Sequence, residues 1–281
     1  MHPASREELN YYCIFKGVYI NYEKTLDCYA KSYYHCICLI VMVHKEIEIP
    51  GLVSFATFIN RPNRFLVNLI PEGSSKTEPA FLHDPGRMKE LLVDNARLLI
   101  RKPLKNDNRK TKFDILAVEH QGKLVVINSS LPNLVAKIAL QNKWIEELER
   151  YDFLKSEISY GKSRLDFLLS KNESKCYVEV KGVTLVKNNI ALFPDAPTSR
   201  GAKHLHELIT IVKEEKGYVL FICMREDSIY FSPNEETDPI FSDTLKKAAR
   251  EGVGVLAYKV KPVIKNNQLI LQFIDKIKVM L

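Results

Sequence analysis

Ser163-Arg164-Leu165-Asp166-Phe167-Leu168-Leu169, a polar break over Ser170–Lys175, and then Cys176-Tyr177-Val178-Glu179-Val180-Lys181-Gly182-Val183-Thr184-Leu185 form the stretch on which the reading of this chain turns. Two apolar runs around a polar hexapeptide predict two strands joined by a turn. Strand side chains alternate faces, so Glu179 and Lys181 share one face and Val178 and Val180 the other. A hairpin centred between Asn172 and Glu173 sets Asp166 opposite Glu179. Like charges facing each other across a sheet destabilise it and raise each other's pKa unless a cation lies between them. Magnesium or manganese suits such a pair, because substrate phosphate and water complete its coordination. Lys181 would then neutralise a phosphoryl oxygen or hold an attacking water. Asp166, Glu179 and Lys181 thus form a candidate site for metal-dependent phosphodiester hydrolysis. The alternative is an edge hairpin whose acid and base make an ordinary surface ion pair, and such pairs contribute little.

The 281 residues carry a net charge of +7 and suffice for one large or two unequal domains. The excess is concentrated, since Arg97, Arg101, Lys102, Lys105, Arg109, Lys110 and Lys112 face only Asp107 within their own window. Such a run is either the electrostatic footprint of a polyanion site, most commonly for nucleic acid, or a solvated loop. The cysteines do not suggest a secreted disulfide framework, in a chain of this length with no signal-peptide pattern. Cys176 and Cys223 sit in apolar runs as buried thiols. Cys28, His35, Cys36, Cys38 and His44 lack the paired spacing of a zinc site and read as part of a buried strand. The apolar run Cys36–Val43 is far short of the ~20 residues that span a bilayer, so no membrane association and a cytoplasmic location are expected. Neither a Gly-x-Gly-x-x-Gly nor a Gly-Lys-Ser/Thr signature is present, so no nucleotide cofactor is expected.

Outward from the central pair, residues 1–50 show no clean period before His35–Val43. Phe55–Ile59, Phe65–Ile70, Leu91–Val93, Leu98–Ile100 and Phe113–Val118 read as short strands of a small barrel or sandwich. Lys123–Asn128 is a further strand. Pro132 and Asn133 open a helix whose stripe Leu134, Ile138, Trp144, Ile145 and Leu148 runs to about Glu149, with Trp144 as a core or inter-domain contact. Phe153–Ile158 predicts a strand that would bring Glu157 to the acids as a third carboxylate. The loop Ala191–Gly201 is made rigid by two prolines, and Thr198 or Ser199 caps a helix over Gly201–Glu215. A second stripe on that helix, Arg200, Lys203, His204 and Glu207, is either a phosphate-facing or a solvated face. A strand at Tyr218–Met224, a helix at Pro239–Arg250 and a strand at Val253–Val260 complete a mixed α/β sheet with crossover helices.

Several segments together carry a resemblance to a known family. They are Arg61-Pro62-Asn63-Arg64-Phe65-Leu66-Val67, Asp84-Pro85-Gly86-Arg87-Met88-Lys89-Glu90-Leu91-Leu92, Asn128-Ser129-Ser130-Leu131-Pro132-Asn133, Tyr160–Phe167, Tyr177–Leu185, and Ala191–Gly201 running into Lys203-His204-Leu205. Spread over about 53–262, they resemble the sugar fermentation stimulation protein A (SfsA) family. The resemblance implies an α/β protein in which an N-terminal OB-like small β-barrel precedes a mixed α/β domain resembling the PD-(D/E)xK nuclease fold. It divides the chain into an N-terminal extension (1–52), an OB-like nucleic-acid-binding barrel (53–120) and a nuclease-like domain (121–281). On the nuclease pattern Asp166 takes the first acidic place and Glu179-Val180-Lys181 the acid-x-lysine place. Glu157, or alternatively Glu146 or Glu149, resembles the additional upstream acid. One departure is Ala80-Phe81, where the family often shows Ala-His; only His83 is kept.

Two functions follow as expectations. One is a DNA-binding protein, backbone-directed and largely sequence-nonspecific, with a magnesium- or manganese-dependent phosphodiesterase site. The other is a non-catalytic DNA-binding regulator of sugar metabolism on a nuclease-derived scaffold. In either, Arg61, Arg64, Arg87, Arg101, Lys102, Arg109 and Lys110 would hold the backbone of DNA or RNA, with Phe65 stacking on a base. Arg164, Arg200, Lys203 and His204 would contact phosphate beside the acids. Oligomeric state is left open.

Overall fold

The computed structural model describes residues 12–15, 18–21, 45–104, 109–161 and 163–281. Lys105, Asp107 and the residues Cys28, His35, Cys36, Cys38 and His44 lie outside the described residues. The chain forms two units, Met1–His44 and Lys45–Leu281. The first contains a hairpin of β1 (Tyr12–Phe15) and β2 (Val18–Asn21).

The second unit begins with β3 (Glu46–Asn60), β4 (Leu66–Pro71), β5 (Glu78–Leu82), β6 (Arg97–Arg101), β7 (Phe113–His120) and β8 (Lys123–Val126). Then come α1 (Leu131–Gln141), a single 3-10 turn (Glu146–Leu148), β9 (Phe153–Tyr160), β10 (Ser163–Lys171), β11 (Ser174–Val183), β12 (Val186–Lys187) and β13 (Ile190–Phe193). The chain ends with α2 (Ser199–Ile211), β14 (Lys216–Cys223), β15 (Tyr230–Pro233), α3 (Pro239–Arg250), β16 (Gly254–Lys265), β17 (Gln268–Lys276) and β18 (Lys278–Val279).

Strands β3, β4, β5, β7 and β6 pair in that order, and β6 returns to β3, closing the expected small barrel. The other half of β3 pairs with β17, the edge of a sheet ordered β17-β16-β14-β11-β10-β9. One strand therefore serves both layers, and its burial pattern records the change. Ile47, Ile49 and Val53 face the core of the large sheet, whereas Ala56 and Phe58 face the barrel core, so the alternation slips by one residue between them. Gly51, at φ +96°, a conformation L side chains rarely adopt, lies earlier, between Glu48 and Leu52, where the β3–β17 register shifts.

The large sheet is mixed, with β11, β14 and β16 parallel and the outer pairs antiparallel. On β14, Leu220 and Ile222 pack with α1 residues such as Val135 and Ala139, while Val219 and Phe221 pack with Leu205 and Leu208 of α2 and Phe241 and Leu245 of α3. Three sequence expectations shift. The helix extrapolated to Glu149 stops at Gln141, because Lys143 takes φ +57° and the chain turns. Trp144, Ile145 and Leu148 keep their burial periodicity without helix, and Trp144 meets the Phe273 ring at 5.7 Å. The helix expected to reach Glu215 gives way to turns after Ile211, and Leu91–Val93 is turn rather than strand, with Leu91 buried under the barrel.

Candidate functional site

Strand β10 pairs with β11 from Lys171↔Ser174 up to Phe167↔Val178, the register inferred from the sequence, and the pairing stops there. Just beyond, β10 leaves β11 while staying paired to β9. Leu165 packs on the α2 and α3 side of the sheet but Phe167 on the α1 side, so the strand turns about Asp166. The Asp166 carboxylate fills the resulting fork: Oδ2 accepts from the Val180 backbone N–H at 2.8 Å, and Oδ1 accepts from Asn133 Nδ2 at 2.8 Å.

Asn133 reaches the fork because the first turn of α1 lies directly on β11. A Cβ on Gly182 would come within 2.5 Å of Pro132 Cγ, so only glycine admits this approach. Glu179 lies on the other side of β11 and is only 2 % exposed. Its Oε1 accepts from Lys181 Nζ at 2.5 Å and is also bonded to His204 Nδ1. Its Oε2 is buried and has no hydrogen-bond partner.

His204 is carried by α2, whose start is pinned twice. The Thr198 hydroxyl accepts from Gly201 N at 3.1 Å, and Asp238 accepts from Thr198 N at 2.7 Å while also capping α3 at Phe241 N. One turn earlier on the helix, Arg200 Nε donates to His204 Nε2 at 3.5 Å. That donor pattern assigns the imidazole hydrogen facing Glu179 to Nδ1.

The two carboxylates are driven apart electrostatically. Burial, then repulsion from Glu179, holds Asp166 above the ordinary aspartate range. For Glu179 burial also pushes upward, but His204 and Lys181 together outweigh it and hold the group below its usual value.

Not every residue picked from the sequence comes to this point. Glu157 is exposed at φ +56° and pairs with Arg164 at 3.4 Å rather than joining Asp166. Glu146 and Glu149 are exposed as well, and the partly buried acid of that turn is Glu147, which accepts from Tyr258 Oη at 2.9 Å. His204, assigned from the sequence to a polar stripe, is buried against Glu179, while Arg200 and Lys203 are exposed. Asn133 was missed; its place inside Asn128–Asn133, one of the family-like segments, was the available signal. Among the described residues, no group of three or more His, Cys, Asp or Glu is placed to hold a metal ion.

On the barrel, Arg61 donates to the carbonyl oxygens of Arg64, Asp84, Gly86 and Arg87 at 2.7–3.0 Å and so braces the turn before Met88. Arg64, Arg87, Lys102 and Lys110 are exposed. Arg101, with a side chain 13 % exposed, donates to Pro50 O, and Arg109 pairs with Asp114 at 2.7 Å. Phe65 is exposed and stacks on Phe81 at 6.2 Å. No described helix is long and apolar enough to cross a membrane.

Two family models match the chain: the SfsA N-terminal OB domain over residues 59–127 and the sugar fermentation stimulation protein RE domain over residues 130–266. The sugar fermentation stimulation protein homologue of Moorella thermoacetica is 43 % identical over 217 residues, 76 % of this chain and 92 % of that protein. The homologue of Methanosphaera stadtmanae is 40 % identical over 226 residues, 78 % of this chain and 92 % of the relative. The solved structure of Pyrococcus furiosus SfsA in complex with Ca2+ shares the fold, with a TM-score of 0.73 over 84 % of this chain and all of that one at 24 % identity.

Proposed function

The chain belongs to the sugar fermentation stimulation protein family, and from that premise we propose that it binds nucleic acid and hydrolyses phosphodiesters at the fork between β10 and β11 with a divalent cation. The observation that carries this reading is the buried, partnerless Oε2 of Glu179, whose charge also raises Asp166, with Lys181 on the same strand face as Glu179. An unpaired carboxylate oxygen at such burial is costly, and a cation is the partner that would relieve it. Two carboxylates suit magnesium or manganese, which keep water and substrate oxygens as further ligands. The Ca2+ complex of the Pyrococcus furiosus relative supports an oxygen-donor cation site in this fold. The order Asp166, Glu179-x-Lys181 also supports the resemblance to PD-(D/E)xK nucleases.

When bound, the cation supplies Lewis acidity towards an attacking water and a phosphoryl oxygen. The protein's part is positioning and charge. Val180 N–H and Asn133 hold Asp166, and His204 fixes the rotamer of Glu179 so that Oε2 remains available. Lys181 Nζ offers its remaining hydrogens to the phosphate. Exposed Arg64, Arg87, Lys102, Lys110 and Lys203 would hold the backbone by charge, without reading sequence. Lys181→Ala should abolish manganese-dependent cleavage of DNA, and equal cleavage by both proteins would exclude hydrolysis at this site.

A second reading, a DNA-binding regulator with no catalysis, is favoured by Glu179 Oε1 being already held by two partners and by the lack of a third metal ligand among the described residues. Calorimetry separates the two. Hydrolysis requires a manganese binding heat that Asp166→Asn loses, whereas the regulator needs none.

A further inference from the structure

A cavity of about 270 Å³ is lined by barrel residues and by Asn128 and Ser130 of the segment leading into α1. Its aromatic wall is Phe81, which the Arg109 guanidinium overlies at 5.3 Å and the His83 ring meets edge-on at 5.6 Å. Two guanidinium groups share one carboxylate there: Asp114 accepts from Arg109 Nη2 at 2.7 Å, while Arg101 Nε stands 3.6 Å away, buried and without a hydrogen-bond partner. Two guanidinium groups set against one carboxylate leave the cavity wall with a surplus positive charge. Asn128 and Ser130, joined by a 2.6 Å hydrogen bond from Ser130 Oγ to Asn128 Oδ1, complete the lining.

This combination fits one nucleotide. An aromatic ring and a guanidinium plane accept the face of any base, and guanidinium groups in excess of their carboxylate can donate to a phosphate. The volume is below the ~300–1,000 Å³ of pockets for drug-sized ligands, the right order for one base and its phosphate. The position also fits. The segment that walls the cavity at Asn128 and Ser130 touches Gly182 through Pro132 and donates to Asp166 through Asn133. Five residues span at most ~18 Å, so cavity and fork lie within a few nucleotides of each other along one strand.

We propose that this cavity takes one unpaired nucleobase with its neighbouring phosphate, so that the nucleic acid presented to the fork is single-stranded or unpaired at that point. A base inside a duplex is stacked on both faces and has to be extruded to enter. The inference rests on the nucleic-acid reading given above and narrows it to a substrate class.

The test compares a labelled single strand with the same sequence as a duplex, bound by the full chain in the presence of a chelator. The single strand should bind at least tenfold tighter. Phe81→Leu, which keeps apolar volume, should weaken single-strand binding by about 5- to 100-fold and leave duplex binding within about twofold. Arg109→Gln should act in the same direction. Phe81→Trp provides a direct readout, since its indole emission should be quenched by the single strand, against a background from Trp144, which packs on Phe273. Unchanged affinities in a folded Phe81→Leu protein, or an unquenched Phe81→Trp, would overturn the cavity while leaving nucleic-acid binding in place. A wild-type protein that binds neither strand form would overturn both.

Discussion

In the barrel, several members of the basic run that dominates the sequence meet carboxylates that lie outside that run. Arg97 pairs with Glu72 and Glu119, Arg101 and Arg109 share Asp114, and Lys112 pairs with Glu78. At the fork the opposite happens: two acids are gathered, and their partners leave one Glu179 oxygen buried and unbonded. The difference teaches that charge density along a chain is a poor guide to charge in space. Incomplete satisfaction after folding is the stronger mark of a site, because a buried polar atom without a partner is costly unless something else supplies one.

The largest expected effect tests the fork side of this contrast. Glu179→Gln keeps the shape and removes the charge, and should lower divalent-dependent cleavage at least ~100-fold, measured as initial rates on DNA. Next comes the contact that aims Asn133. Gly182→Ala drives a methyl into Pro132 and should destabilise the fold by about 1–3 kcal/mol in chemical denaturation.

A smaller effect belongs to the barrel turn, where burial raises Asp84 from 3.8 to about 6, with Asp195 adding repulsion. The folded state thus keeps a proton that the unfolded chain has released. Stability should fall as pH rises from about 4 to about 6 and then level off. Asp84→Asn, which keeps an acceptor for Gly86 N–H, should flatten that slope and stabilise the protein near neutrality by on the order of 1 kcal/mol, followed as thermal melts against pH.

The smallest effects compare paired with unpaired cations. Lys102→Ala and Lys110→Ala should each reduce the salt slope of DNA binding by about 1. Arg97→Ala, whose charge is already matched, should leave it unchanged.

Much of the architecture was legible because it is encoded locally. The alternation in Ser163–Leu185 identified two strands and their register, the short apolar runs around Pro, Gly and Asn indicated a small barrel, and Pro239–Arg250 was bounded as found. Periodicity was less informative where burial continued without helix. Ile145 and Leu148 stay buried and Trp144 partly buried beyond Lys143, so the sequence stripe overran the helix.

By itself, then, the sequence determined which residues share a face, the β10–β11 register that leads up to Asp166 and Glu179, and the family-like segments around them. Only the tertiary structure decided which cations are spent on internal pairs, that His204 is buried against Glu179, that Asn133 reaches Asp166, and that Phe81 and two arginines enclose a cavity. The physical reason is one of range. Alternation and turn chemistry act between neighbours along the chain, whereas ion pairing, desolvation and close packing depend on strands and helices that are distant in sequence and meet only on folding.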